Sequence, residues 1–194
     1  ADFARASSYA DSGQIDSAIE IYGQIIESIE EHDAQKKNYR VLILAYAARG
    51  DLHGERGDYE ACVRGFETAV ELYEELAREP ITTVVRDLYF DLGRSRAHAG
   101  DFAGSNEALT ASLEISQKGG YEEDLVRLAH TYAYISDNHL RMGSPARAAV
   151  ALETAIEHVG PATPQSAWVL GNLHYQLCEV LRTAGQYEPA AEAI

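Results

Sequence analysis

In the stretch IDSAIEIYGQIIESI, residues 15–29, the apolar positions Ile15, Ala18, Ile19, Tyr22, Ile25, Ile26 and Ile29 recur at intervals of three and four. That interval is the signature of a helix with one buried face. The stretch ACVRGFETAVELYEEL repeats the pattern with Cys62, Phe66, Ala69, Val70, Tyr73 and Leu76, and its other face carries Glu67, Glu71, Glu74 and Glu75. Nowhere does a sustained alternation of β-branched and polar residues suggest a strand. The pattern predicts helices over 2–12, 15–31, 34–55, 58–78, 81–98, 101–117, 121–141, 145–158, 164–183 and 187–194. Short breaks at REP, KGG and GPATP separate successive pairs.

The helices come in pairs around a recurring loop. Gly13, Gly57, Gly100, Gly143 and Gly185 are spaced by 44, 43, 43 and 42 residues, a period that marks a repeat array. Two columns of this register hold only small residues. Seven before the glycine stand Ala6, Gly50, Gly93, Ser136 and Cys178; five after it stand Ala18, Cys62, Ser105, Ala148 and Ala190. Nine after it stand the larger Tyr22, Phe66, Leu109, Leu152 and Ile194, and eleven before it Asp2, Tyr46, Tyr89, Tyr132 and His174. Small residues on both helices of a pair let two backbones approach closely, with the large residue filling the space beside them. The loop glycine suits the left-handed cap of the first helix, helix A. Asp58, Asp101 and Ser144 stand where they would cap the second, helix B. Pro145 and Pro164 fit the first helical position after Ser144 and Thr163.

With these columns in place the chain resembles the tetratricopeptide repeat in its longer form of about 42 residues. The family's helix A reads W-x2-L-G-x2-Y. In YFDLGRSR, Tyr89, Leu92 and Gly93 match and Arg96 departs; in YAARGDLH, Tyr46 and Gly50 match and Arg49 and His53 do not. Ala148, Leu152 and Ala155 match the helix B signature. The resemblance implies an all-α, right-handed α-solenoid of about five helix-turn-helix repeats, near 1–33, 34–80, 81–120, 121–162 and 163–194, forming one domain. It implies protein or peptide binding in a concave groove lined by the A helices, without catalysis. Repeats of this length occur in kinesin light chains, in bacterial peptide-pheromone receptors and in the sensor regions of bacterial transcription regulators. The alternative reading is therefore an effector-sensing domain of such a regulator or of a signalling ATPase.

By the same resemblance, groove-facing columns contribute Asp51, Arg94, Asp137 and Glu179; Phe90 and Tyr175; Glu55, His98 and Arg141; and Asp87, His130 and Asn172, with Arg182 alongside. Asp51, Glu55 and Asp87 form an acidic end, and Phe90 and Tyr175 are the expected anchors for an apolar side chain of a basic ligand. The competing reading is a solvated inner face whose charges pair between neighbouring repeats. The Lys/Asn clamp that some family members use for a terminal carboxylate has no counterpart at these positions.

Composition narrows the partner. The net charge of −15, with 16 basic and 31 acidic residues, argues against direct nucleic-acid binding. It suits either solubility or attraction of basic partners. At 46% hydrophobic residues the chain can bury a core, yet it has no apolar run long enough for a membrane span. Two distant cysteines, Cys62 and Cys178, sit in small-residue columns, so they read as buried thiols in a reducing cytoplasm. His130 and His139 are nine apart, which is not a ligand spacing; His53 and His139 fall at a packing position, and His98 and His130 are the one pair expected to meet across the groove. GERG at 54–57 is a helix end rather than a phosphate cradle, and neither motif nor cofactor site is expected. Because YEPAAEAI closes on an apolar core column, the chain is expected to be part of a longer array, or to bury that end by self-association.

Overall fold

In the computed structural model, which describes residues 2–33, 37–76, 83–120, 124–161, 163–164 and 166–185, the secondary structure is helical throughout. The order is α1 (Asp2–Asp11), α2 (Ile15–His32), α3 (Tyr39–Glu55), α4 (Tyr59–Leu76), α5 (Thr83–Ala99), α6 (Phe102–Gly119), α7 (Leu125–Arg141), α8 (Pro145–Val159) and α9 (Ala167–Thr183). Odd-numbered helices are the A helices and even-numbered ones the B helices. The helix expected at 187–194 lies outside the described residues.

Each helix packs on the one before and the one after it, as in a solenoid. In addition α5 reaches α7 and α7 reaches α9, whereas no two B helices meet to that extent among the described residues. The A helices therefore line the inner face and the B helices the outer one.

The loop glycines adopt the predicted left-handed conformation, with φ of 75° at Gly13, 80° at Gly57, 87° at Gly100, 70° at Gly143 and 75° at Gly185. A Schellman pair of bonds closes the A helix at each of the first four. At Gly57, for example, the Asp58 N–H donates to His53 O at 2.9 Å and the Gly57 N–H to Gly54 O at 2.9 Å. The Asp58 carboxylate then accepts from the Ala61 N–H at 3.1 Å, and Asp101 from the Gly104 N–H at 2.9 Å. Two expectations need correction. Ser144 makes no side-chain cap, and the N-terminus of α8 relies on Pro145, whose missing N–H leaves one fewer donor to satisfy. Pro164 sits in a turn, not in α9. Thr163 and Ser166 each accept the other's backbone N–H, at 3.1 and 2.9 Å, and the helix starts after this closed box. The A helix of the fourth repeat likewise begins at Leu125, capped by Asp124, which accepts from the Arg127 N–H at 3.1 Å.

The small columns are the core of the fold. Ala6, Ala18, Ser105 and Ala148 are fully buried, as are Leu109 and Leu152 of the large column. Gly50 lies so near α4 that a Cβ placed on Gly65 would stand 2.8 Å from the Gly50 Cα. A Cβ on Gly93 would stand 2.6 Å from Leu109 Cγ and 3.1 Å from Ser105 O. Cys178 departs from its column: it is only half-buried, packed against the edge of the last core cluster.

Neighbouring repeats are joined through a column the repeat pattern did not single out, five before the glycine. Ser95 Oγ lies 3.0 Å from Cys62 Sγ, and Asn138 Nδ2 donates to Ser105 Oγ at 2.8 Å. In the flanking repeats the equivalent partners are apolar: Leu52 shares a cluster with Ala18, and Val180 with Ala148. Each interface thus sets polar against polar or apolar against apolar, which gives the buried Ser105 hydroxyl a partner; the Asn138 amide also donates to Asn106 Oδ1 at 2.8 Å, and its own buried Oδ1 has no hydrogen-bond partner among the described residues. A second tie is a tyrosine from the column eleven before the glycine. Tyr46 donates to Glu30 of the preceding B helix at 2.6 Å, and Tyr89 donates to Glu74. Burial, helped by the glutamate, pushes both phenols up to about 12.

Gly93→Leu should overpack the α5–α6 contact and cost about 1–3 kcal/mol or more, because backbone as well as side chain lies within reach of the new carbon. A thermal melt equal to that of the unsubstituted chain would contradict the contact. Asn138→Val alone should strand the buried Ser105 hydroxyl at a cost of about 1–3 kcal/mol. Adding Ser105→Ala copies the Val180–Ala148 interface and should recover at least half of the loss. Denaturant titration of the four proteins measures the coupling; additive effects would show that the two residues do not act as a pair.

Candidate functional site: the inner face of the A helices

The inner face begins with backbone geometry. Residues six and two before each loop glycine lie four apart on the last turns of an A helix, so they share one face. There Asp51 and Glu55 of α3, His98 of α5, and Asp137 and Arg141 of α7 are exposed. Arg94 of α5 and Glu179 of α9 are half-buried.

Much of the expected acidic end is neutralised from within. Arg94 crosses to the preceding repeat and pairs with Asp51 at 2.8 Å, while also meeting Asp91 at 3.2 Å. Asp87 lies between two arginines, at 2.9 Å from Arg86 and 3.6 Å from Arg127. Arg86 is itself buried and extends to Asp124 at 3.5 Å. Asp51 and Asp87 are therefore not free carboxylates: Arg94 and Arg127 reach them from a neighbouring repeat, and Arg86 holds Asp87 from the adjacent position on α5. At the other end Asp137 pairs with Arg141 at 3.4 Å and Glu179 with Arg182 at 2.8 Å, each within its own helix. The hydrogen bond from Arg182 holds the Glu179 carboxyl below its ordinary range.

Phe90 is not a surface anchor. It is 6% exposed, lies in a core cluster with Leu109, Ile135 and Ala151, and meets Tyr134 edge-on at 6.0 Å. The Arg127 guanidinium covers it at 4.5 Å from the ring centroid. A position ten before the glycine faces the groove only where the next A helix leaves it uncovered, and here α7 does not. Tyr175, in the same column on α9, is 67% exposed. Trp168, one heptad earlier on the same helix, is 65% exposed and shares its face. Asn172, between them, is also exposed. Trp168 escaped the column reading because its position varies by a residue between repeats; its i, i+7 relation to Tyr175 was the available signal.

His98 and His130 do not form the expected pair. His130 is exposed on α7. The His98 ring stacks on Tyr59 of the preceding repeat, at 5.2 Å between centroids and 17° between planes, and meets Tyr134 edge-on at 6.3 Å. No group of His, Cys, Asp or Glu among the described residues is arranged to hold a metal ion. His53 and His139 are half-buried packing residues, as expected, and burial depresses both imidazoles. Burial also pushes the Cys62 thiol up, which keeps it protonated and unreactive.

Asp51, Gly54, Glu55, Tyr59, Cys62, Arg94, Ser95 and His98 enclose a cleft of about 230 Å³ between α3, α4 and α5. Asp91, absent from the sequence-derived columns, stands beside it. Burial drives its carboxyl up to about 6, against the opposing pull of Arg94. Its folded pKa exceeds its unfolded one, so the protonated form favours the fold; that stability is complete below the unfolded value and is lost as pH rises through about 6. Asp91→Asn should therefore raise the melting temperature at pH above about 6, and the gain should fade as pH falls toward 4. A gain independent of pH would show that ionisation of Asp91 is not its origin.

Comparison with known proteins follows the same outline. The tetratricopeptide repeat model matches residues 135–194. No curated protein matches the chain by sequence. Among solved structures, the putative kinesin light chain of Podosopora anserina, with nearly identical TPR-like repeats, superposes with a TM-score of 0.78 at 17% identity, over 99% of this chain and 89% of that one. BtubC (BKLC) from P. vanneervenii gives 0.78 at 19% identity, over 97% of this chain and 74% of that one. The apo form of RapI gives 0.77 at 15% identity, over 99% of this chain and half, 50%, of the other. At these identities the likeness is one of fold.

Proposed function

Because the chain is a tetratricopeptide-repeat solenoid, a fold that generally serves protein–protein interaction, we propose that its inner face binds an extended or helical segment of a partner protein without performing catalysis. The observation that carries this reading is where apolar surface remains uncovered. Of nine exposed large apolar residues among the described ones, six lie on A helices: Val41, Leu44, Val84, Val126, Trp168 and Tyr175. Elsewhere the A helices bury their apolar residues against neighbours, and an uncovered aromatic pair such as Trp168 and Tyr175 marks an interaction site.

The charge arrangement supports a directional partner. The paired carboxylates and arginines at Asp51–Arg94 and Asp87–Arg127 stiffen the middle of the groove and offer little net attraction. Glu55 and the cleft beside it provide negative potential toward the N-terminal side, and the aromatic pair provides desolvated contact toward the C-terminal side. The partner segment is basic at one end and carries a large apolar side chain at the other. Charge orients the encounter and sets its rate, while the aromatic contacts hold the complex. With an acidic chain of this kind and no described helix long and apolar enough to cross a membrane, the proposed setting is the cytoplasm.

An arrayed peptide library screened with the full chain tests this. Peptides with a basic residue followed by an aromatic or aliphatic one should be retained, and a double Trp168→Ala, Tyr175→Ala variant should release them about tenfold faster or more with little change in association rate. Retained peptides whose kinetics ignore that variant would place the binding face elsewhere.

A further inference from the structure

The cleft between α3, α4 and α5 has four unlike walls. Glu55 lines one side, at the rim. The stacked rings of Tyr59 and His98 form another, with the His98 ring held in place by the edge of Tyr134. The floor is Cys62 and Ser95, whose Sγ and Oγ lie 3.0 Å apart and satisfy each other. The inner end is filled by the chain's own guanidinium, that of Arg94, seated between Asp51 and Asp91. Two carboxylates thus bracket the Arg94 cation, and Glu55 is the further acidic group in the lining of the cleft.

We propose, resting on the groove reading above, that this cleft is a pocket for the guanidinium group of an arginine in the bound segment, laid on the Tyr59 ring that His98 backs and paired with Glu55. The choice of arginine follows from shape and hydration. His98 covers one face of the Tyr59 ring and leaves the other open, with Tyr59 37% exposed, and a planar, weakly hydrated guanidinium stacks on such a face, whereas a compact ammonium keeps its water. A carboxylate at the rim matches the two-pronged donor edge of the same group. The satisfied thiol and hydroxyl of the floor do not demand a donor, so the stem of the arginine lies over them without stranding a polar group. Arg94 supplies the internal precedent: a guanidinium bracketed by two carboxylates already occupies the deeper half of the cleft. Basic character of the partner is thereby assigned to one residue type at one place, through residues of two consecutive repeats.

The probes are N-acetyl-arginine amide and N-acetyl-lysine amide, titrated into the isotopically labelled full chain while its amide chemical shifts are followed. The arginine probe should shift Gly54, Glu55, Tyr59 and His98, and bind at least about fivefold tighter than the lysine probe. Glu55→Gln and Tyr59→Ala should each weaken it about tenfold. Retention of the remaining amide spectrum in each variant confirms that the fold is intact. Equal response to both probes, shifts that cluster elsewhere, no shift at saturating probe, or indifference to both substitutions in folded variants would overturn the pocket. The readout is independent of the peptide screen. Peptides held at Trp168 and Tyr175 without preference for arginine would remove the pocket and keep the groove; an arginine-selective cleft in a chain that retains no peptide would do the reverse.

Discussion

Everything in this molecule depends on how closely two helices of a pair can approach. At α3–α4 the contact is backbone against backbone through Gly50 and Gly65, and at α5–α6 it is the bare Cα of Gly93 against Leu109 and the Ser105 carbonyl. At such distances the packing of the large column is determined: Tyr22, Phe66, Leu109 and Leu152 have one space each to occupy, and all four are buried. Because a small residue recurs at this contact in each of the four described pairs, the pairs are near copies, and stacking near copies produces a solenoid. The inner face of A helices follows from this stacking rather than from any property of the groove residues themselves.

Between pairs the chemistry is less uniform, and that gives each interface an identity. The polar contacts Ser95–Cys62 and Asn138–Ser105 join the central repeats, and the apolar pairs Leu52 with Ala18 and Val180 with Ala148 flank them. A repeat displaced by one unit would bring a hydroxyl or amide against an apolar partner, at the cost of an unsatisfied buried group. The matched interfaces therefore favour one order of stacking. The Tyr46–Glu30 and Tyr89–Glu74 bonds reinforce it on the outer side of the same junctions.

The groove shows the same economy of charge. Arg94, Arg86 and Arg127 hold carboxylates from neighbouring turns or repeats, so the middle of the inner face is rigid and nearly neutral. What remains uncovered is the cleft at Glu55, Tyr59 and His98, which the Asp51–Arg94 pair borders, and the aromatic pair Trp168 and Tyr175 on α9. On the proposed function, these two surfaces take two side chains of one partner segment, and the stacking of repeats sets the distance between them.

The helical period, the glycine register and the two small columns were all legible in the sequence, because each is a local requirement repeated at constant spacing: a helix end needs a left-handed residue, and a close crossing needs the absence of a side chain. Among the described residues the helices were accordingly placed to within a few residues, and the small columns were buried except at Cys178. The groove residues were legible only as positions. Asp51, Asp87 and Phe90 sit where their columns put them, yet Arg94, Arg127 and the next A helix cover or neutralise them. Tyr59 matters through a ring on another helix, Asp91 through its burial, and Trp168 because no neighbour covers it. A column states which way a residue leaves its own helix. Whether it then meets solvent, an opposite charge or a ring depends on a side chain some 30–45 positions away, and only the stacking of repeats in three dimensions decides that.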